Sequence, residues 1–275
     1  MGAGRTSARW GVRVGGLDFV RRNGRGEVNF ALSLPEELTI EAGPGGIDRL
    51  AVMGPSGAGK STFLNLLSCT SYPQSPGSMV EWTFPNGDRF AWGPDGPPPR
   101  DLLRLRRHHF GYAFQSASLQ PHLTIGENLT YGLENTGVSR REARARALER
   151  LGEAFAGDEA RAAMMMDRFD TEVSGGERQR ISLLQALMRD PYVLFADEPT
   201  GSLDSMTRAT VMRMLTDWID RKPDERMFVW VTHHESDPAD NGAAQRLYVA
   251  DGSVVYQTRE GGEWRTRRQG EAVPC

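Results

Sequence analysis

Gly54-Pro55-Ser56-Gly57-Ala58-Gly59-Lys60-Ser61-Thr62 fills every position of the phosphate-binding pattern G-x-x-x-x-G-K-[ST]. Leu50-Ala51-Val52-Met53 before it is apolar and short enough for a buried parallel strand, and Phe63, Leu64, Leu66 and Leu67 after it recur at helical spacing. Strand, glycine loop and helix form the setting this pattern requires. The glycines let successive backbone N–H groups turn toward the α- and β-phosphates, and the start of the helix brings its positive dipole end to the same point. Lys60 is spaced to reach the β- and γ-phosphates and Ser61 to ligate Mg²⁺, so the stretch reads as a nucleoside triphosphate site. Only two of the 33 basic residues are lysines, Lys60 and Lys222. Arginine serves elsewhere as the generic cation, which weighs against a glycine turn that merely caps a helix.

A chain of 275 residues can bury a full core, as one large domain or a domain with a sizeable subdomain. A net charge of −3 with 25% charged residues describes an ordinary soluble surface and gives no reason to expect nucleic acid as a partner. No run approaches the ~18 apolar residues of a membrane span, and residues 1–9 lack the apolar stretch of a signal peptide. The expected location is therefore the cytoplasm. Cys69 and Cys275 are too few and too distant for a disulfide framework or a metal site.

Working outward, residues 1–48 alternate as strands, with Val12, Val14, Leu17 and Phe19 followed by Val28, Phe30, Leu32 and Leu34, and they predict an antiparallel region. Residues 80–84 and 89–92 flank Asn86-Gly87 as a hairpin. Arg100 to His109 is a basic strip that reads as a solvated helix face over a core, with a binding surface as the alternative. Phe110 to Phe114 is a buried strand that delivers Gln115 to a strand end, where open α/β sheets bind ligands. Ser139 to Glu142 has capping-box spacing, and Met164-Met165-Met166 reads as core filling rather than a contact surface. Ser174-Gly175-Gly176-Glu177 repeats the capping-box spacing before an amphipathic helix that Asp190-Pro191 ends. Tyr192 to Ala196 is a second buried strand and runs into Asp197-Glu198; two adjacent carboxylates there invite a bound Mg²⁺. Met227 to Thr232 is a third, delivering His233, and residues 247–256 close as a hairpin before a polar tail.

Three strands thus bring Gln115, Asp197 with Glu198, and His233 to the edge that holds the phosphate loop. From about residue 12 to 256 the order of these motifs resembles the nucleotide-binding subunits of ATP-binding cassette (ABC) transporters. The phosphate loop GPSGAGKST, the glutamine loop at Gln115, the signature VSGGERQR from Val173, the acidic motif VLFADEPTGSLD and the switch histidine in VTHH all occur in the family's order. The resemblance implies an α/β fold: a P-loop NTPase core with a RecA-like mixed sheet, an antiparallel β subdomain and an inserted α-helical subdomain. It implies one domain over 1–257, with an ATP-binding core at about 1–115 and 190–257, a helical signature subdomain at about 116–189, and a polar tail at 258–275.

By the same resemblance the cofactors are ATP and Mg²⁺. Asp197 would hold Mg²⁺ with Ser61, and Gln115 would touch the metal and the attacking water. Glu198 would be the general base, and His233 would contact the γ-phosphate and hold that base in place. Ser174, Gly175 and Gly176 would bind the γ-phosphate of an opposing copy, with Asp204 at the seam, so the working site needs two chains. Phe19 is the expected adenine-stacking aromatic, with Phe30 competing.

ADEPTGSLD, SGGERQR and LQPHLTIGENL look like the branch of lipoprotein-releasing, macrolide-exporting and cell-division ATPases. That branch implies a homodimer that drives a separate integral membrane subunit docked near residues 115–137, Leu119 and Leu123 among them, on the cytoplasmic face of the inner or plasma membrane. Val173, Glu177, Gln185 and His234 depart from the family's commonest residues, Leu, Gln, Arg and Asp. A soluble cassette of DNA maintenance or translation is the alternative; the long heptad insertion, zinc cysteines or second cassette of those proteins is missing from this chain.

Overall fold

The computed structural model describes residues 9–34, 37–113, 119–155, 157–201 and 203–266. Two sheets share one apolar core. The smaller is antiparallel, in the order β4-β1-β6-β7, built from β1 (Trp10–Gly15), β4 (Leu38–Ala42), β6 (Met79–Thr83) and β7 (Arg89–Trp92). Its strands obey the period of two: in β4, Leu38, Ile40 and Ala42 are buried while Thr39 and Glu41 face water. On the outer face Arg13 and Arg89 both reach Glu81 at 2.7 Å.

The larger sheet runs in the order β2 (Leu17–Arg22), β3 (Val28–Leu34), β12 (Ser253–Glu260), β11 (Gln245–Ala250), β5 (Arg49–Met53), β10 (Met227–Val231), β9 (Val193–Asp197) and β8 (Phe110–Ala113). The pairs from β11 to β8 are parallel, whereas β2 with β3 and β11 with β12 are antiparallel, which makes this the expected mixed sheet. All five residues of β10 are buried, as a parallel strand covered on both faces requires. Alternate residues feed opposite cores. Val52, Phe195 and Val229 pack with Phe63 and Leu66 of α1 (Lys60–Leu67), and Met53, Leu194 and Trp230 pack with Val211, Leu215 and Trp218 of α7 (Ser205–Asp220).

A third apolar cluster belongs to α3 (Ile125–Glu134), α4 (Arg140–Ala154), α5 (Glu159–Met166) and α6 (Gly175–Leu187), around Ile125, Leu129, Leu151, Met165 and Ile181. Leu119 joins this cluster at 7% exposure, which removes it from the expected docking surface. Of the methionine triplet, Met165 and Met166 fill the core, but Met164 is 60% exposed. At Ser139 only half of the expected box forms, because the Glu142 side chain turns to Arg146.

The basic strip folds as α2 (Pro99–Arg104) and one wider helical turn, Leu105–His109. It is not wholly a solvated face. His109 is 2% exposed, its Nε2 lies 2.9 Å from Asp88 of the β6–β7 hairpin, and Phe84 packs 4.3 Å from its ring. Burial pushes its pKa down, against the pull of the Arg104 carbonyl and of Asp88. Beyond residue 258 the expected polar tail is still sheet as far as residue 266. β12 continues to Glu260 and returns as β13 (Glu263–Thr266), because Trp264 stacks 4.4 Å from the Arg246 guanidinium and gives the added strand an anchor.

Candidate nucleotide-binding site

Asp197 is level with Val231 on β10, and Val231 with Val52 on β5, so three adjacent strands end together. The phosphate loop leaves β5 through Gly54, whose φ is +141° and where a Cβ would fall 1.9 Å from the Val249 carbonyl oxygen. Only glycine fits there. Gly59, with φ +103°, closes the loop, and a Cβ on it would strike the Phe30 ring at 2.3 Å. Pro55, Ser56 and Gly57 are exposed, while Ala58 packs partly on the core. Helix α1 begins at Lys60 with no side-chain cap and no acid in its first turn, which includes Thr62. Its leading N–H groups are thus open to an anion.

Lys60 is 7% exposed, and its ammonium donates to the carbonyls of Gly54 at 3.0 Å and Pro55 at 2.9 Å. These bonds fold it over the loop it would share with phosphates. Ser61, next in the helix, is exposed, and its hydroxyl lies close enough to the Asp197 carboxylate across the strand ends to draw its pKa down. Burial pushes Asp197 above the usual carboxylate range; the Ser61 hydrogen bond and Lys60 oppose this, and the neighbouring Glu198 adds to it. A divalent cation would reverse that balance. A hydroxyl and a carboxylate brought to the same strand ends form a hard-oxygen pair suited to Mg²⁺, so Ser61 and Asp197 fit the metal.

Glu198 occupies the left-handed region with φ +46°, and its N–H donates to the Val231 carbonyl at 3.2 Å. A non-glycine residue held there is strained by about 1 kcal/mol or more. The turn directs its carboxylate to His233, whose Nδ1 lies 3.4 Å from Oε1. His233 is half exposed and Glu198 a quarter exposed, so both can meet a ligand. Gln115 lies outside the described residues, although β8, which leads to it, ends beside β9 with Ala113 opposite Ala196.

Phe19 sits on β2 opposite Leu32, with its ring 6.4 Å from that of Phe30. Phe30 is the aromatic in contact with the loop, at Gly59. The β2–β3 register, which the sequence does not reveal, pairs Phe19 with Leu32 and Phe30 with Arg21.

Ser174 caps α6 with a complete box. Its Oγ accepts from the Glu177 N–H at 3.3 Å, and its own N–H and hydroxyl both donate to Glu177 at 2.8 Å. Burial raises the Glu177 carboxyl, but the Ser174 bonds and the Arg161 guanidinium at 2.7 Å outweigh it and hold the group at about 2. Ser174 and Gly175 are exposed, and Gly176 packs on Thr207 at the start of α7. Asp204 accepts from the Thr207 N–H at 3.0 Å and from its hydroxyl at 2.6 Å, so the signature segment and Asp204 share one region of surface. Sequence reading missed two ties that hold this arrangement. Gln179 donates to the Pro199 carbonyl at 3.0 Å, which fastens α6 to the turn after Glu198. Gln185 donates to the Asn128 carbonyl at 3.1 Å, a use for the residue that stands where the family favours Arg.

The sequence profile of the family described as "ABC transporter" matches residues 37–201. The macrolide export ATP-binding/permease protein MacB of Marinobacter nauticus is 35% identical over 242 residues, which cover 88% of this chain and 34% of that protein. The chain therefore spans about a third of the length of the curated relatives it matches. The dimeric ABC transporter cassette MJ0796 superposes with a TM-score of 0.69 at 27% identity, covering 88% of this chain and 96% of that one. A post-hydrolysis dimer of MJ0796 bound to ADP and Pi gives 0.70, also at 27% identity, over 91% and 99%. Among the described residues no helix is long and apolar enough to cross a membrane.

Proposed function

This chain belongs to the ABC transporter family as an ATP-binding cassette, and from that premise we propose that it hydrolyses ATP between two copies of itself to drive a membrane-embedded partner. One observation carries the chemistry: Asp197, near enough to Ser61 and Lys60 to feel both, stands beside a Glu198 carboxylate whose Oε1 lies 3.4 Å from His233 Nδ1. Ser61 and Asp197 would hold Mg²⁺, which would supply charge neutralisation for the nucleotide's phosphates. Lys60 exchanges its two loop carbonyls for the same phosphates. Glu198 orients the attacking water and takes its proton on the carboxylate, and His233 keeps that carboxylate turned toward the γ-phosphate. Little covalent work is asked of the protein, since positioning and charge do most of phosphoryl transfer. The exposed start of α6, with Ser174, Gly175 and Gly176, lies ready for a second copy's γ-phosphate, and Asp204 for the seam.

The membrane partner's place is a groove between α2, β8, α3 and the end of α6. Leu103 and Tyr131, 48% and 65% exposed, are its open apolar members, and Arg106, Arg107 and Arg189 line it without an acid. A short amphipathic helix with carboxylates matches that lining. The naming of the relatives as export ATP-binding/permease proteins supports this over a soluble role in DNA maintenance or translation, and the reading puts the cassette to work at the cytoplasmic face of a membrane. Tyr131→Glu with Leu103→Glu is expected to leave ATP affinity within about twofold, since neither side chain is in a core, and to abolish co-sedimentation with membranes of the source cells. Equal sedimentation of the variant and the parent would remove the groove from the docking site.

A further inference from the structure

His234 follows the switch histidine, and the chemistry above gives it no task. Its ring centroid lies 4.1 Å from that of His233, and its Nε2 lies 2.6 Å from a terminal nitrogen of Arg208. A guanidinium can only donate, so Nε2 is the acceptor and the neutral ring carries its proton on Nδ1. The backbone is held as well. The His234 N–H donates to the Thr232 hydroxyl at 3.2 Å, and that hydroxyl donates to the buried Asp237 carboxylate at 2.6 Å. Arg208 belongs to the first turn of α7, where its N–H donates to the Asp204 carbonyl at 2.9 Å and Asp204 caps the adjoining Thr207. The buried Nε of Arg208 has no hydrogen-bond partner among the described residues, while a terminal nitrogen of the same guanidinium reaches the imidazole.

We propose that Arg208 and His234 are positioning residues that brace the His233 ring against Glu198 and tie it to the turn of α7 that carries Asp204. This rests on the two-chain reading, in which Asp204 lies at the seam. A displacement of that turn when the second copy docks moves Arg208, then the adjoining, mutually tilted rings of His234 and His233, then the contact between His233 and Glu198. The charged and titratable groups around the ring are Arg208 from α7, His233 with Glu198 beyond it, Asp237 through Thr232, and Glu235 next in the chain.

The first test needs no turnover. Long-range proton–nitrogen spectra of the imidazoles in the full chain should show His234 as the Nδ1–H tautomer, and Arg208→Ala should shift it toward Nε2–H, the form favoured by a free imidazole. An Nε2–H ring in the wild-type chain would overturn the brace outright. The second test is ATP hydrolysis. Arg208→Ala should lower kcat about tenfold with KM within about twofold, and Arg208→Lys should recover most of the loss. His234→Gln, whose amide oxygen can accept where Nε2 does, should outperform His234→Ala. Unchanged kcat in Arg208→Ala would reject the brace and leave the ATPase reading standing. A wild-type chain that bound no ATP would reject that reading instead, with the tautomer still deciding the brace.

Discussion

Glu198→Gln should bind MgATP as the parent does and turn it over two to three orders of magnitude more slowly, the range expected when a general base is lost. The amide has the shape of the carboxylate but cannot accept the water's proton. The backbone at Glu198, with φ +46° and its N–H on the Val231 carbonyl, is untouched by the change. The exchange also removes one of the charges that push Asp197 upward, so the folded chain loses no stability at neutral pH. Phosphate release and binding of a fluorescent ATP analogue, measured on the same preparation, separate the two effects. Near-parental phosphate release would transfer the base role to another group.

Lys60→Ala should act on the other parameter. The ammonium would give charge-assisted hydrogen bonds to two phosphates, so its removal should weaken ATP binding by roughly 3 kcal/mol, or about a hundredfold. It also leaves the carbonyls of Gly54 and Pro55 without the donor that now reaches them at 3.0 and 2.9 Å. A stability loss of about 1 kcal/mol is expected from that. Titration calorimetry with MgATP and a thermal melt of the nucleotide-free chain read the two consequences separately. Affinity within threefold of the parent would mean that the lysine remains on its carbonyls when nucleotide is bound.

The parts of the site that were legible in the sequence are those set by local chemistry. A glycine loop after an apolar strand, two acids at a strand end and a serine box before an amphipathic helix each reveal their structure within about ten residues. Parallel pairing then places the strand ends together, and the observed register of Val52, Val231 and Asp197 agrees with that expectation. What stayed hidden depends on partners distant in sequence. Phe30 rather than Phe19 reaches the phosphate loop because of the β2–β3 register. His109 is buried because Asp88 and Phe84, on a hairpin about twenty residues earlier, surround it. Leu119 looked available to a partner only until α3 to α6 were seen to enclose it. The last strand owes its place to Trp264 on Arg246, a contact that no periodicity announces. His234 departs from the family's commonest residue, and only the packing of α7 brings Arg208 to it.

Light scattering of Glu198→Gln in MgATP and in MgADP tests the two-chain site most directly, because slow hydrolysis should hold any ATP-bound assembly in place. A site completed by the Ser174 to Gly176 segment of a second copy predicts the mass of two chains in MgATP and of one chain in MgADP. A single-chain mass at saturating MgATP, with nucleotide shown to be bound, would contradict it.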